Sequence, residues 1–318
     1  MNQKGKNEMK RACSTTLGLL GFAALLCAGR PAFAQDANRG ASRASEGVGA
    51  PEVHSHAMHT GDAPTAGGKT ALTPITYHGG PVGLQNVYLI WYGNWNQTNG
   101  SDTPAGQALV RTFLSNLGGS PYYTINGTNN APTNVNLSPN EYTDTGSQGT
   151  RLSDAKVKNI VTNAVSHLGS DTNALYFVLT SSNISESSGF CNKYCGWHTH
   201  GTISGSDIKY SFVGNANRCL SGCAAQTISP NGNAGVDGMI SVIAHELEEA
   251  DSDPDLNAWY DSSGAENADK CAWTFGSAQT LLPSGAYYNM TLGGTNFLVQ
   301  RNLDAQDNKC YVAYKGQQ

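Results

Sequence analysis

SDAKVKNIVTNAVSHLGSDTNALYFVLT, residues 153–180, sets the architecture in one stretch. Ser153 and Asp154 can cap a helix, and Val157, Ile160, Val161, Ala164, Val165 and Leu168 then recur along one helical face until Gly169 stops it. Residues 175–180 follow as an unbroken run of aliphatic, aromatic and β-branched side chains, the pattern of a strand covered on both faces. A helix that delivers the chain into a buried strand is the repeating unit of a sheet with helices packed on it.

The same alternation extends in both directions. VYLIWY at 87–92, bounded by Gly83 and Gly93, reads as a buried strand, and Asp102-Thr103-Pro104 opens a helix to Leu117 that Gly118 stops. IKYSFV at 208–213 is another strand, and a third helix runs from Asp237 to about Ala250 with Met239, Ile240, Val242, Ile243 and Leu247 as its apolar side. Residues 296–299 and 310–313 read as strand within an irregular tail. The sequence therefore predicts a single mixed-sheet domain, α/β or α+β, with packed helices over residues 73–318.

Upstream of it, residues 1–34 read as a signal peptide. Lys4, Lys6, Lys10 and Arg11 precede a short apolar run, and Ala32-Phe33-Ala34 supplies a cleavage site before Gln35. The run falls short of the about 20 apolar residues that span a bilayer, and no transmembrane segment is expected in the mature chain. Residues 35–72, rich in Ala, Gly, Ser and Pro, read as a disordered linker or pro-segment; His54, His56 and His59 lie in it. Loss of the five basic residues of 1–34 and of Glu8 takes the formal net charge from −5 to about −9, which argues against a nucleic-acid partner. The expected destination is extracellular or periplasmic.

In that compartment Cys191, Cys195, Cys219, Cys223, Cys271 and Cys310 read as disulfides. The paired C-x-x-x-C spacings favour 191–195, 219–223 and 271–310. A bridge from Cys271 to Cys310 would tie down the loop that follows the third helix.

The chemistry concentrates in His245-Glu246-Leu247-Glu248-Glu249. Residues i and i+4 share a helix face, so His245 and Glu249 can hold one ion while Glu246 beside them serves as a proton acceptor. This is the helix of the H-E-x-x-H zinc peptidases with glutamate as the second ligand, a metallopeptidase-like active-site helix. Zinc is the expected ion; the added negative charge widens the choice to manganese or calcium. Glu266 is the first choice for the third ligand, with Asp253, Asp269, His198 and His200 as competitors; on a strand the two histidines would face one side. The expected reaction is hydrolysis of a peptide or other amide. The ion acidifies water and polarises the carbonyl, Glu246 takes the proton, and Tyr260 is a candidate oxyanion donor by position alone.

Asp253-x-Asp255-x-Asn257 with Asp261 is calcium-loop-like, but Ala258 and Gly264 stand where an EF-hand needs Gly and Glu, which leaves only a looser structural calcium site. Neither a phosphate-binding glycine loop nor a G-x-S-x-G elbow occurs in the sequence.

Several spaced motifs carry a family resemblance. Tyr77-His78-Gly79-Gly80-Pro81 before VYLIWYG, Gly189-Phe190-Cys191-x-x-x-Cys195-Gly196, Phe212-Val213-Gly214 with Cys219-x-x-x-Cys223, and Val236-Asp237-Gly238-Met239 together resemble the EXORDIUM-like, phosphate-induced protein family from about Thr73 to the C-terminus. The resemblance implies secretion and, in plants, a role in growth responses without a settled biochemical activity. Plant members lack the His-Glu pair that stands here at His245-Glu246, and the segment from His245 to Cys271 resembles instead uncharacterised bacterial proteins read as metallopeptidases. One hypothesis joins the two: the scaffold is a metallohydrolase whose plant branch has lost its ligands. The other is a non-enzymatic exported binding or signalling protein with a structural metal site.

Overall fold

The computed structural model describes residues 72–316. The signal peptide, almost all of the 35–72 segment and its three histidines lie outside the described residues. In chain order the elements are β1 (Thr76–Tyr77), β2 (Asn86–Tyr92), α1 (Pro104–Ser115), β3 (Asn136–Asp144), β4 (Arg151–Leu152), α2 (Asp154–Leu168), β5 (Ala174–Thr180), β6 (Ser185–Glu186), β7 (Gly196–Ile203), β8 (Ser206–Gly214), α3 (Leu220–Cys223), α4 (Ala234–Ser252) and β9 (Trp259–Tyr260). Three small hairpins follow: β10 (Thr280–Leu281) with β11 (Tyr287–Tyr288), β12 (Met290–Leu292) with β13 (Thr295–Phe297), and β14 (Asn302–Asp304) with β15 (Lys309–Tyr311).

A five-stranded sheet in the order β3-β2-β5-β8-β7 organises the domain. Neighbours among β3, β2, β5 and β8 run parallel, and only β7 is antiparallel, because the tight turn after Ile203 folds it straight back onto β8. This is the mixed sheet with packed helices that the sequence predicts. Every residue of β5 is buried, as its central place requires. Helix α1 packs on α4, and α4 packs in turn on β7 and β8.

The element ends follow local chemistry. Thr103, not Asp102, caps α1, its Oγ1 accepting from Gly106 N at 3.0 Å. Asp102 is instead fully buried and accepts from Ser182 N at 2.9 Å and Asn215 Nδ2 at 2.7 Å, tying together the loops that leave β5 and β8. Ser153 stands at the N-cap of α2 without a side-chain capping bond. Helix α4 begins at Ala234, ahead of the expected Asp237, because Asn233 accepts from Val236 N at 3.1 Å.

Two of the expected disulfides are corrected. The bridges are Cys191–Cys219, Cys195–Cys223 and Cys271–Cys310, so only the last matches the spacing argument. Cys223 closes the single turn of α3 that Cys219 caps, which aims both sulfurs at the neighbouring 191–195 segment instead of at each other.

The chain just after Leu72 runs alongside the segment that leaves α4. Thr76 and Tyr77 pair with Tyr260 and Trp259, His78 N donates to Ala258 O at 2.7 Å, Gly80 N to Asn257 O at 3.1 Å, and Gly83 N to Asp251 O at 2.7 Å.

Candidate functional site

Three elements meet at the C-terminal half of α4. The helix places His245 and Glu249 one turn apart, with Glu246 on the adjoining flank. Every residue from His245 to Asp253 is buried, far more charge than a helix normally hides. Strand β7 supplies His198, fully buried, and its alternation carries His200 on the same side. The loop after β9 supplies Glu266, fully buried, and Asp269, held down by the Cys271–Cys310 bridge.

The distances divide these residues into two groups. His245 Nε2 lies 2.9 Å from Glu249 Oε1 and 3.8 Å from Asp269 Oδ1. His198 Nδ1 lies 3.6 Å from Glu246 Oε2 and 3.7 Å from Glu249 Oε2. Each group offers one imidazole nitrogen and two carboxylate oxygens within 4.8 Å of one another, and Glu249 belongs to both. Glu266 does not stand against His245: its Oε1 faces the far nitrogen of His198, Nε2, at 3.9 Å. Asp269 takes the place beside His245, its own N–H donating to Glu249 Oε1 at 3.0 Å.

The remaining sequence candidates lie elsewhere. Asp253 ends the helix, its Oδ1 accepting from Asn257 N at 2.5 Å and Ala258 N at 2.6 Å. Asp255 and His200 form a separate cluster with Asp207, where Lys209 Nζ stands 2.8 Å from Asp207 and 3.2 Å from Asp255. Asp261 turns to Ser263, Ala265 and Lys270, so the acids of the calcium-like loop are spent on separate partners. Tyr260 stacks on His78 with ring centroids 3.7 Å apart.

The opposite flank of α4 behaves differently. Burial pushes Asp251 up to about 7, against hydrogen bonds from Leu84 N at 2.8 Å and Asn126 Nδ2 at 3.0 Å. Burial also raises Glu248 well above the ordinary carboxylate range, reinforced by the charge of Asp251. These two carboxyls belong to a buried hydrogen-bonded network with Asn126 and Asn302.

One contributor escaped the sequence reading. Gly196 begins β7 directly against α4, and a β-carbon there would meet Val242 Cγ1 at 2.7 Å and Glu246 Oε1 at 2.9 Å. The signal was present as a glycine immediately before the Trp197-His198-Thr199-His200 alternation.

The donor set fits a divalent ion. Imidazole and carboxylate are both ligand types that zinc takes, and carboxylates suit manganese as well. Among the described residues no helix is long and apolar enough to cross a membrane, and three disulfides are the chemistry of an oxidising compartment.

A family model described as the phosphate-induced protein 1 conserved region matches residues 75–313, which takes in the sheet, α4 and all six of these cysteines. The chain is 31% identical to Protein EXORDIUM-like 5 of Arabidopsis thaliana, over 73% of this chain and 76% of that protein. It is 29% identical to Protein EXORDIUM-like 3 of the same plant, over 73% and 81%, and 25% identical to Protein PHOSPHATE-INDUCED 1 of Nicotiana tabacum, over 74% and 87%. No solved structure matches the chain significantly. With the match spanning nearly the whole described domain, the chain belongs to the phosphate-induced protein 1 family.

Proposed function

We propose that this family member is an exported metal-dependent hydrolase acting on a peptide or related amide. The observation that carries the reading is the convergence of His245, Glu249 and Asp269, with His245 Nε2 at 2.9 Å and 3.8 Å from the two carboxylates. The three residues would hold zinc or manganese. When bound, such an ion supplies Lewis acidity to a carbonyl and a lower pKa to water. The helix holds two of the ligands on one rigid face, and the Cys271–Cys310 bridge fixes the loop that brings the third. Glu246 and Glu266 lie outside that group, and they are the carboxylates on hand to accept a proton. The H-E-x-x-E helix supports an amide substrate through its likeness to the zinc peptidases.

Enclosure favours a second reading. His198, Glu246, Glu249 and Glu266 are fully buried and His245 is only 3% exposed, which suits an ion that braces a binding or signalling protein.

Metal analysis with an activity assay separates the two. The purified exported chain should contain zinc or manganese, lose it in His245→Ala, and cleave a peptide library in an ion-dependent way. Removing a general base costs about 10²–10⁴ in rate, so Glu246→Gln and Glu266→Gln show which carboxylate serves. Chelator-stripped protein that takes up neither ion, or whose uptake ignores His245→Ala, sinks the hydrolase reading. Ion uptake without cleavage leaves the structural reading standing.

A further inference from the structure

We propose that Glu249 bridges two divalent cations, the second held by His198 and Glu246. The inference rests on the metal-dependent reading above, extends it from one ion to a pair, and moves Glu246 and Glu266 from proton acceptors to a ligand and a positioning residue.

The two oxygens of Glu249 face two different histidines. Oε1 lies 2.9 Å from His245 Nε2, and Oε2 lies 3.7 Å from His198 Nδ1. Each histidine also has a carboxylate of its own, Asp269 Oδ1 at 3.8 Å from His245 and Glu246 Oε2 at 3.6 Å from His198. Two groups of identical donor chemistry thus share one side chain, each with its ligand atoms inside 4.8 Å. Ligands about 2.0–2.2 Å from an ion stand at most about 4.4 Å apart across it, so small side-chain shifts close either group.

The far side of His198 supports ligation through Nδ1. Its Nε2 faces Glu266 Oε1 at 3.9 Å. A metal-ligating histidine characteristically gives its other ring N–H to a carboxylate, and Glu266 would serve His198 so by closing from 3.9 Å to hydrogen-bond distance. Glu266 is on this account a positioning residue, and its seat on the bridged loop serves that purpose.

Charge points the same way. Glu246, Glu249, Glu266 and Asp269 bring four carboxylates around two imidazoles, and three of the four are fully buried. Charge in such a place is expensive unless it is offset. Two divalent ions would match the four carboxylates in charge when all four are ionised. The neighbouring cluster of His200, Asp207 and Asp255 solves the same problem with the ammonium of Lys209, so it calls for no ion. Paired ions about 3.5–4 Å apart clamp both the attacking and leaving oxygens in many hydrolases.

The test is a manganese titration of the chelator-stripped full chain, with bound metal counted by mass spectrometry and electron paramagnetic resonance recorded at saturation. The expected result is two ions per chain with a spin-coupled spectrum. His198→Ala should leave one ion with the spectrum of an isolated centre, while His200→Ala keeps both. One ion per wild-type chain, or two without coupling, overturns the bridge and leaves the hydrolase reading intact. No ion at all overturns both. The wild-type count and coupling decide the matter even if His198→Ala fails to fold.

Discussion

Gly196 and Glu246 are packed so closely that the carboxylate occupies the space a side chain at position 196 would need: a β-carbon there would stand 2.9 Å from Oε1. The Glu246 flank of α4 and the start of the edge strand are therefore set against each other by the lack of one methyl group.

Gly196→Ala should accordingly cost about 1–3 kcal/mol, the usual penalty for overpacking a closed core, and should also displace Glu246. Urea denaturation measures the first and manganese affinity the second. A variant as stable as the parent and equally avid for metal would show that the contact constrains nothing.

Removal of bound metal should lower thermal stability. An ion present at about a thousand times its Kd contributes roughly 4 kcal/mol. For a domain of this size that is a loss of about 10 °C in Tm on chelation, reversed by zinc. Scanning calorimetry of the wild type and of His245→Ala, with and without chelator, checks it; the variant should start low and respond little.

The two bridges between 191–195 and 219–223 should behave as alternatives. Each spans a sequence separation of 28, for which chain entropy assigns roughly 3–4 kcal/mol to the first bridge formed. Once one exists, the second closes only a small additional ring and contributes less. Cys191→Ser/Cys219→Ser and Cys195→Ser/Cys223→Ser should each cost little, and the quadruple variant should lose more than their sum in denaturant midpoint. Non-reducing peptide maps should show 191–219 and 195–223.

Asp237 gives a pH dependence with a definite sign. Burial raises its carboxyl above the ordinary value, against hydrogen bonds that include Asn231 Nδ2 at 2.7 Å. The folded state then holds the proton more tightly than the unfolded chain does. This contribution is complete below the unfolded pKa of about 3.9 and is lost as pH rises through the folded value. Asp237→Asn should flatten that part of the slope in denaturation free energy measured from pH 4 to 7. Parallel profiles for the two proteins would refute the assignment.

The regular elements were legible because their signals are local. Periodicity placed α2 and β5 correctly, and the His245–Glu249 pair followed from helical spacing alone. Strand β3 went unread because Ser138-Pro139-Asn140 interrupts any apolar pattern; at the sheet edge it needs none. Counting residues along an irregular loop fixes reach but not direction, and the loop turns Asp269 towards His245 and Glu266 towards His198. Two of the three cysteine pairings failed for a similar reason. Spacing along the chain says nothing about which segment lies alongside, and that is decided by the α3 turn.

The ladder between the first described residues and the end of α4 fixes an order of failure. Its rungs lie in series from Thr76–Tyr260 through His78–Ala258 and Gly80–Asn257 to Gly83–Asp251. A tug from the N-terminal side meets the Asn308 Nδ2 bond to Leu72 O first and then takes these rungs in order, so the load reaches Tyr260 well before it reaches Asp251 in α4.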